Sequence, residues 1–447
     1  RVPSSVVVTT TRSRGDQPVS DALRRTWCSD PAAVVEHAQA HHDVVVPLAN
    51  GEPDTVMAAL DAAGPTLEGV RVHQMHSLRD RPYLHGVYPG LRHISYFLSH
   101  VTRPCFAEGG LDFAPAHFSE MPHILGHVAP NPLVVAAATP PDRHGWFSLG
   151  TNADYVARLI GKAPFFLEAN PNMPRTRGEN QVHVSQVVGW VEADYPLPEL
   201  PAAKVGEKDR VIGEIIAERI PDGATIQVGI GSIPAAAISA LRNHRNLGVH
   251  TELLSDGLAE LFAAGVITGS EKATRPGKMV TTFAMGTTAF YDFIDDNAAV
   301  EFLPVDWVND PRIIGRSRCF ASINATAEVD VLGQANSEMI GGRLWSGSGG
   351  QADFAKGAMF SPQGKGFLAL HSTNADETVS RIKVRLGAGA VITTLKNTVD
   401  HVVTEFGVAE LRGQPISVRA RRLIDIAHPK FREGLENESR AAGYLHD

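Results

Sequence analysis

QVGIGSIP, residues 227–234, decides how this chain reads, together with HTELLSDG at 250–257. The apolar run ATIQVGI (224–230) ends in glycines, and Pro234 then fits the first turn of a helix, AAAISALRN. Strand, glycine turn and helix N-terminus in succession expose backbone N–H groups that favour an anion such as a phosphate or a carboxylate. A tight turn without a ligand reads the same way. Gly229 and Gly231 also match the first two glycines of a dinucleotide fingerprint, with Glu252 at the distance of its ribose acid. The sixth position, however, is Pro234 where glycine would allow close helix packing, and Glu252 is embedded among Thr251, Ser255, Asp256 and Gly257. Glu252 is therefore either an anchor for a ribose or a reacting group.

Outward from that loop, short apolar runs alternate with helical stretches. Strands are expected at 43–49, 133–140, 163–170, 224–230, 278–286, 391–396 and 401–407, and helices at 53–64, 153–161 and 209–220. Unalternated apolar strands separated by helices indicate an α/β fold with largely parallel sheets. YPLPELPAAKVGEKD (195–209), rich in Pro and charge, breaks the alternation. It divides the chain into a surface tail (1–25), an N-terminal α/β domain (26–200) and a C-terminal one (201–447). The segment from 416 to 445 reads as helices broken at His428-Pro429.

At 447 residues, 43% of them hydrophobic and 20% charged, the chain affords a large core and more than one domain. A net charge of −8 argues against nucleic acid or an anionic membrane as the main partner. Three scattered cysteines, Cys28, Cys105 and Cys319, fit a reducing cytoplasm and small buried hydrophobes better than disulfides or a metal site. No apolar run approaches the roughly 18 residues that span a bilayer.

Further glycines stand at 347, 349 and 350 in SGSGGQ, where a flexible backbone can present N–H groups as an anion nest or oxyanion hole. A glycine-rich surface loop has the same composition. His144, in PPDRHGWFSLG (140–150), is a candidate catalytic residue or one that steadies a turn.

Taken in order, PPDRHGWFSLG, NPNMPRTRGENQVHVS, QVGIGSIP, HTELLSDG, SINATAEVDVLGQANSE, SGSGGQADFAKGA, VVTEFGVAELRG and IAHPKFRE resemble the acetyl-CoA hydrolase/transferase family, which includes 4-hydroxybutyrate, butyryl and succinyl CoA-transferases. The resemblance runs from NGEP at 50–53 nearly to the end. It implies two CoA-transferase-type α/β domains with the active site at their cleft, a homodimer, and CoA exchange between a short-chain acyl-CoA and a carboxylic acid, with no metal and no NAD. In that family the Glu of the H-[ST]-E segment is the nucleophile, which here is Glu252. It attacks the thioester to give an acyl-glutamyl anhydride, CoA thiolate converts this to a glutamyl-CoA thioester, and an incoming acid reverses the sequence. A carboxylate suits this role because an anhydride keeps the thioester's activation, which a serine ester would discard.

By the same resemblance Gln227 would bond the acyl or glutamyl carbonyl, and Gly349 and Gly350 would serve the oxyanion. Gly229, Ile230, Gly231, Ser232 and Ile233 would line CoA, with Asn324, Gly347 and Lys365 as further contacts. Asn50 and Glu52, in a loop after the first strand, are candidates for the acyl end. Glu328, Asp330, Glu338 and Glu405 are read as structural acids, paired with turn backbone or with arginines such as Arg412. A dicarboxylic substrate would need a cationic partner, for which Arg79, Arg81, Arg92 and Arg103 are candidates. Three rivals follow: an acyl-CoA hydrolase, an NAD-dependent oxidoreductase, and a non-catalytic acyl-CoA-binding protein.

Overall fold

The computed structural model describes residues 17–446. Two sheets dominate it, one in each half. The first takes its strands β1 (Asp43–Val45), β2 (Val70–Gln74), β3 (Leu91–Ser95), β4 (Asp112–Phe113), β5 (Leu133–Ala138), β6 (Phe165–Ala169) and β7 (Val187–Glu192) in the order β4-β3-β2-β1-β5-β6-β7. Every pairing in it is parallel. The interior strand β5, LVVAAA, is buried on both faces, which is why its sequence shows no alternation.

In the second half β8 (Thr225–Val228), β9 (Gly248–Val249), β10 (Ala321–Ala325), β11 (Lys365–Ala369), β12 (His401–Thr404) and β13 (Gly407–Glu410) form a six-stranded sheet, ordered β9-β8-β10-β11-β12-β13. Only the β12–β13 hairpin is antiparallel. Between the halves, residues 193–206 carry no helix or strand, and the helix Glu207–Ala217 follows. Asp209, at its third position, accepts from the Gly206 amide at 2.8 Å and closes the helix start.

Several local expectations change. Residues 1–16 of the expected tail lie outside the described residues, but Gln17–Thr26 is a helix whose Ala22 and Leu23 pack on the core, and Trp190 Nε1 donates to the Leu23 carbonyl at 3.1 Å. The expected strand at 391–396 is irregular, meeting Ala335 through an isolated bridge at Thr394 and a bond from the Thr393 amide. The stretch 278–286 splits into two short strands, Met279–Thr281 and Phe283–Ala284, outside the six-stranded sheet. The helix expected at 153–161 is a single 3-10 turn, Val156–Leu159, because tertiary bonds claim the backbone: Ala153 and Asp154 both donate to the Thr282 carbonyl. Among the described residues no helix is long and apolar enough to cross a membrane.

The halves share their cores. Ala137, Ala153 and Met173 pack in the cluster of the second half, and Leu253, Met285 and Val305 in that of the first. Backbone bridges join Asn152 to Phe283 and Gly178 to Phe302. Gly178 has φ +135°, and a Cβ there would lie 2.0 Å from the Phe302 carbonyl oxygen. Gly178→Ala is expected to cost about 2–4 kcal/mol in urea unfolding. Gly109→Ala, where φ is +77° and nothing lies within 4 Å, isolates the backbone strain and should cost only about 1 kcal/mol.

Candidate active site

Strand β8 positions the acid through its neighbour β9. The His250 amide donates to the Ile226 carbonyl at 3.1 Å, and Thr251 Oγ1 accepts from the Val228 amide at 3.4 Å. The Glu252 carbonyl then accepts from the amides of Thr282 (3.2 Å) and Phe283 (3.1 Å) and from Thr281 Oγ1 (3.0 Å), so its backbone is pinned. His250 is fully buried and stacks on Trp307 with centroids 5.5 Å apart. Burial, with Lys272 nearby, pushes its pKa down to about 3, so the ring is neutral and its Nε2–H donates to the Val308 carbonyl at 2.6 Å. The histidine of the H-T-E segment thus fixes the chain immediately before Asn309.

Asn309 Nδ2 donates to Glu252 Oε2 at 2.8 Å, and the Gly350 amide also hydrogen-bonds the carboxylate. A Cβ at Gly350 would lie 1.9 Å from Oε2 and 2.3 Å from Asn309 Nδ2, so this contact requires glycine. Gly349, at φ +51°, faces the other oxygen, its hypothetical Cβ 3.8 Å from Oε1. Glu252 is only partly exposed, and burial pushes its carboxyl up to about 7. The Asn309 and Gly350 donors oppose that rise and the nearby Asp353 adds to it. Asp353 is itself raised by burial, against the pull of Ser119, His117 and Asn309.

The glycine loop is seated on the N-terminal half. Ser348 Oγ donates to the Ala116 carbonyl at 2.8 Å and the Phe118 amide to the Gly349 carbonyl at 3.0 Å. Ser119 donates to Asp353 through its amide (3.2 Å) and its hydroxyl (2.8 Å). A Cβ on Gly347 would meet the Tyr96 carbonyl at 2.8 Å. Gln351 follows as the first residue of the helix Gln351–Phe360 and bonds Ser337 and Thr394 through its side chain. Asn309, Asp353, Ser119 and Phe97 all escaped sequence reasoning. Asp353 carried a faint signal as an acid in the first turn after a glycine cap. Asn309 carried none, its neighbours Asp310-Pro311 reading simply as a helix start.

In the first glycine loop Gln227 pairs with Asn324, each amide donating to the other at 3.0 Å. Each amide keeps a second N–H beyond this pair, and Gly229 must be glycine because a Cβ would lie 2.8 Å from Asn324 Oδ1. Gly231 (φ +119°) caps the helix Ser232–Ala240, with Pro234 in its first turn as expected. Ile230 is 61% exposed while Ile233 is buried, so of the two only Ile230 offers an apolar side chain outward. Ser232 Oγ donates to Asp209 at 2.9 Å. Lys365 is a correction: it opens β11 opposite Ala321, the far end of the strand from Asn324, and its ammonium donates to the Arg219 carbonyl at 2.8 Å.

Asn50 and Glu52 belong to internal networks. Asn50 Nδ2 donates to Tyr291 OH (2.7 Å) across the halves and to the Pro198 carbonyl (3.2 Å), leaving its Oδ1 unpaired. Glu52, buried, accepts from Gln74 Nε2 (3.0 Å), Ser77 Oγ (2.9 Å) and the Leu78 amide (3.3 Å), with Arg81 at 3.5 Å. His144 sits in an exposed turn held by Asp142. Glu405 takes the Ser372 amide and hydroxyl, Glu328 pairs with Lys383, and Asp330 closes a turn onto Leu332 and Gln334. Arg412 meets Asp400 instead of any of these acids. Glu338 is buried and raised by desolvation. Two surface cavities, of about 560 and 250 Å³, lie along Pro140–Asp194 and Pro171–Asp295 residues, and neither is lined by Glu252. Among the described residues, Asp80, His85 and Cys105 bring ligand-type atoms within 4.8 Å of one another, but His85 is engaged by Asp80 at 2.8 Å and burial raises the Cys105 thiol to about 11.

Residues 28–203 match the family model for the acetyl-CoA hydrolase/transferase N-terminal domain, and 286–439 that for the C-terminal domain. Glu252 and the first glycine loop lie between the two matched stretches. The chain is 41% identical over 420 residues to a succinyl-CoA:cyclohexane-1-carboxylate CoA transferase of Geobacter metallireducens, covering 93% of this chain and 95% of that protein. It is 42% identical over 407 residues to the 4-hydroxybutyrate coenzyme A transferase of Clostridium kluyveri, covering 90% and 95%. Among solved structures, RipA from Yersinia pestis superposes with a TM-score of 0.90 at 32% identity, over 96% of this chain and 100% of that one. A 4-hydroxybutyrate CoA-transferase from Porphyromonas gingivalis gives 0.78 at 33%, over 95% and 99%.

Because the folded pKa of Glu252 lies above its ordinary value of 4.5, the folded state holds this proton more tightly than the unfolded chain. That preference stabilises the fold fully below pH 4.5 and is lost as pH rises through about 7. Glu252→Gln, neutral at every pH, is therefore expected to raise the melting temperature over the native protein at pH 8 and to bring no gain at pH 4. Thermal unfolding at the two pH values checks this.

Proposed function

The chain belongs to the acetyl-CoA hydrolase/transferase family and is a CoA-transferase, exchanging CoA between an acyl-CoA and a carboxylate; on that premise we propose that Glu252 is its nucleophile and that the junction of the two halves is its active site. The observation that carries this reading is the asymmetric grip on the carboxylate. Oε2 is held by Asn309 Nδ2, with the Gly350 amide also on the carboxylate, while Oε1 faces Gly349.

Oε1 attacks the acyl carbonyl carbon, the C–S bond breaks, and CoA leaves as its thiolate. The thiolate then attacks Cδ of Glu252, and the anhydride C–O bond breaks to release the first carboxylate. In that second step Oε2 carries the developing negative charge, and its donors are already in place. Donors that do not reorganise are worth about 3 kcal/mol each in comparable oxyanion sites. The incoming acid attacks the glutamyl thioester and the steps run in reverse. Burial serves the chemistry twice: it makes the carboxylate more basic when ionised, and it keeps water from the anhydride and the thioester.

The Gly229–Ile233 backbone and the helix start at Ser232 suit CoA, with exposed Ile230 as an apolar neighbour. The acid belongs to the short-chain class of 4-hydroxybutyrate, butyrate, acetate, succinate and itaconate. The domain division falls in the irregular stretch 193–206. A homodimer is the assembly the family implies, and three unpaired cysteines suit a reducing cytoplasm.

Incubation with butyryl-CoA or succinyl-CoA and no acceptor is expected to leave a CoA-sized adduct on the 250–257 peptide in intact-protein mass spectrometry, absent in Glu252→Ala. Steady CoA release without an adduct would instead indicate hydrolysis. The acid limb of kcat/KM should fall near pH 7, where Glu252 takes up its proton. Asp353→Asn removes a like charge and should move that limb to lower pH. Gly350→Ala, with its Cβ on Oε2, should cost at least about a hundredfold in kcat.

A further inference from the structure

We propose that His76, Phe97 and Arg103 form the subsite for the far end of the transferred acid, and that the acid it accepts is dicarboxylic. The proposal rests on the transfer reading above and names its substrate class.

His76 lies two residues beyond β2 and Phe97 two residues beyond β3, which are adjacent parallel strands paired through Gln74 and Ser95. Both side chains thus stand at the carboxyl ends of the N-terminal sheet, where α/β folds bind ligands. Phe97 reaches the catalytic loop: a Cβ on Gly349 would be 3.4 Å from Phe97 Cε2 and 3.8 Å from Glu252 Oε1. Ring and nucleophilic oxygen therefore flank one glycine, which sets the aromatic edge beside the path of an acyl chain leaving Oε1.

Beyond Phe97 stand His76 and one cation, Arg103. The His76 and Phe97 rings are 5.8 Å apart, and the His76 carbonyl is held by the Ala49 amide at 2.9 Å. Its imidazole makes no hydrogen bond among the described residues, although it is only partly exposed. Burial first, then His100 and Arg103, push its pKa down to about 4, so the free ring is neutral and offers an N–H. Arg103 lies 3.6 Å over the Trp345 ring and donates Nε to the Trp345 carbonyl at 2.7 Å. Its terminal nitrogens have no hydrogen-bond or ion-pair partner among the described residues. Of the four arginines weighed from sequence, Arg79 and Arg81 are committed to Asp54 and Arg92 to Asp112. A guanidinium with free terminal nitrogens and an imidazole without a hydrogen-bond partner, across an aromatic ring from the nucleophile, form a complementary surface for a second carboxylate.

Succinate and butyrate provide the test, since they share a four-carbon chain and differ in carrying a carboxylate or a methyl group at the far end. With one acyl-CoA donor fixed, acceptor kcat/KM should favour succinate in the native enzyme. His76→Leu and Arg103→Met should each lower the succinate-to-butyrate ratio about tenfold, mostly through KM for succinate. His76→Gln, which keeps an N–H donor, should retain most of the ratio. Added salt should lower the ratio in the native enzyme and have less effect in Arg103→Met. A native preference for butyrate, or a ratio unmoved by both His76→Leu and Arg103→Met, overturns the subsite. The glutamyl-CoA adduct is measured alongside. Its formation with an unmoved ratio removes the subsite alone, and its absence from the native enzyme removes the transfer reading and the subsite with it.

Discussion

The contact on which the site depends is the approach of Glu252 Oε2 to the backbone of Gly350. No side chain fits between them, because even a methyl group would occupy the position of the carboxylate oxygen and the Asn309 amide. The requirement reaches outward in both directions. On one side, Glu252 is delivered by β8 and β9 and by three donors on its carbonyl. On the other, Gly350 is delivered by a loop whose other residues are tied to Ala116, Phe118 and Ser119 of the opposite half. The grip on the carboxylate is made by residues of the second half, but the loop that supplies Gly350 is seated on the first, which is why the shared cores and backbone bridges matter to chemistry as well as to stability.

The same enclosure creates an electrostatic conflict that the protein leaves partly unresolved. Two acids, the partly buried Glu252 and the buried Asp353, stand close enough that the charge of Asp353 disfavours ionisation of Glu252. A fold selected for stability alone would neutralise one of them. Only neutral donors answer the charge of Glu252, Asn309 and a backbone amide, while Asp353 has Ser119 as its donor and the charge of His117 nearby. A full cation beside Glu252 would depress its pKa and its basicity, weakening it as a nucleophile. The neutral His250 fits the same logic. It positions the Asn309 backbone through Val308 without adding a positive charge.

The alternation of apolar runs and helices was sufficient to read two largely parallel α/β sheets from the sequence, because a strand buried on both faces has an unbroken apolar signature. The failures share a cause. At 153–161 and 278–286, contacts between the halves override local pattern, and no periodicity encodes a partner more than a hundred residues away. The site divides likewise. Glycines at 349 and 350 were legible because close approach demands their type, whereas Asn309 lies in a stretch whose only local signal concerns a helix cap. Gln227 and Asn324 were legible as polar residues near the loop, but not as partners of each other, since their pairing depends on the β8–β10 register.

That register gives the first glycine loop its shape. Gln227 and Asn324 leave neighbouring parallel strands toward one another, and their paired amides occupy the space that a side chain at Gly229 would need. A loop built in this way owes its rigidity to side-chain amides behind it and its binding capacity to backbone N–H groups in front. The second glycine loop repeats the arrangement with different parts: Gln351, Ser337 and Thr394 brace it from behind, and its glycines face the carboxylate. Substrate exchange needs surfaces that accept an acid and a thiol ester in turn without changing shape, and backbone held by buried amides meets that requirement with little dependence on which acyl group is present.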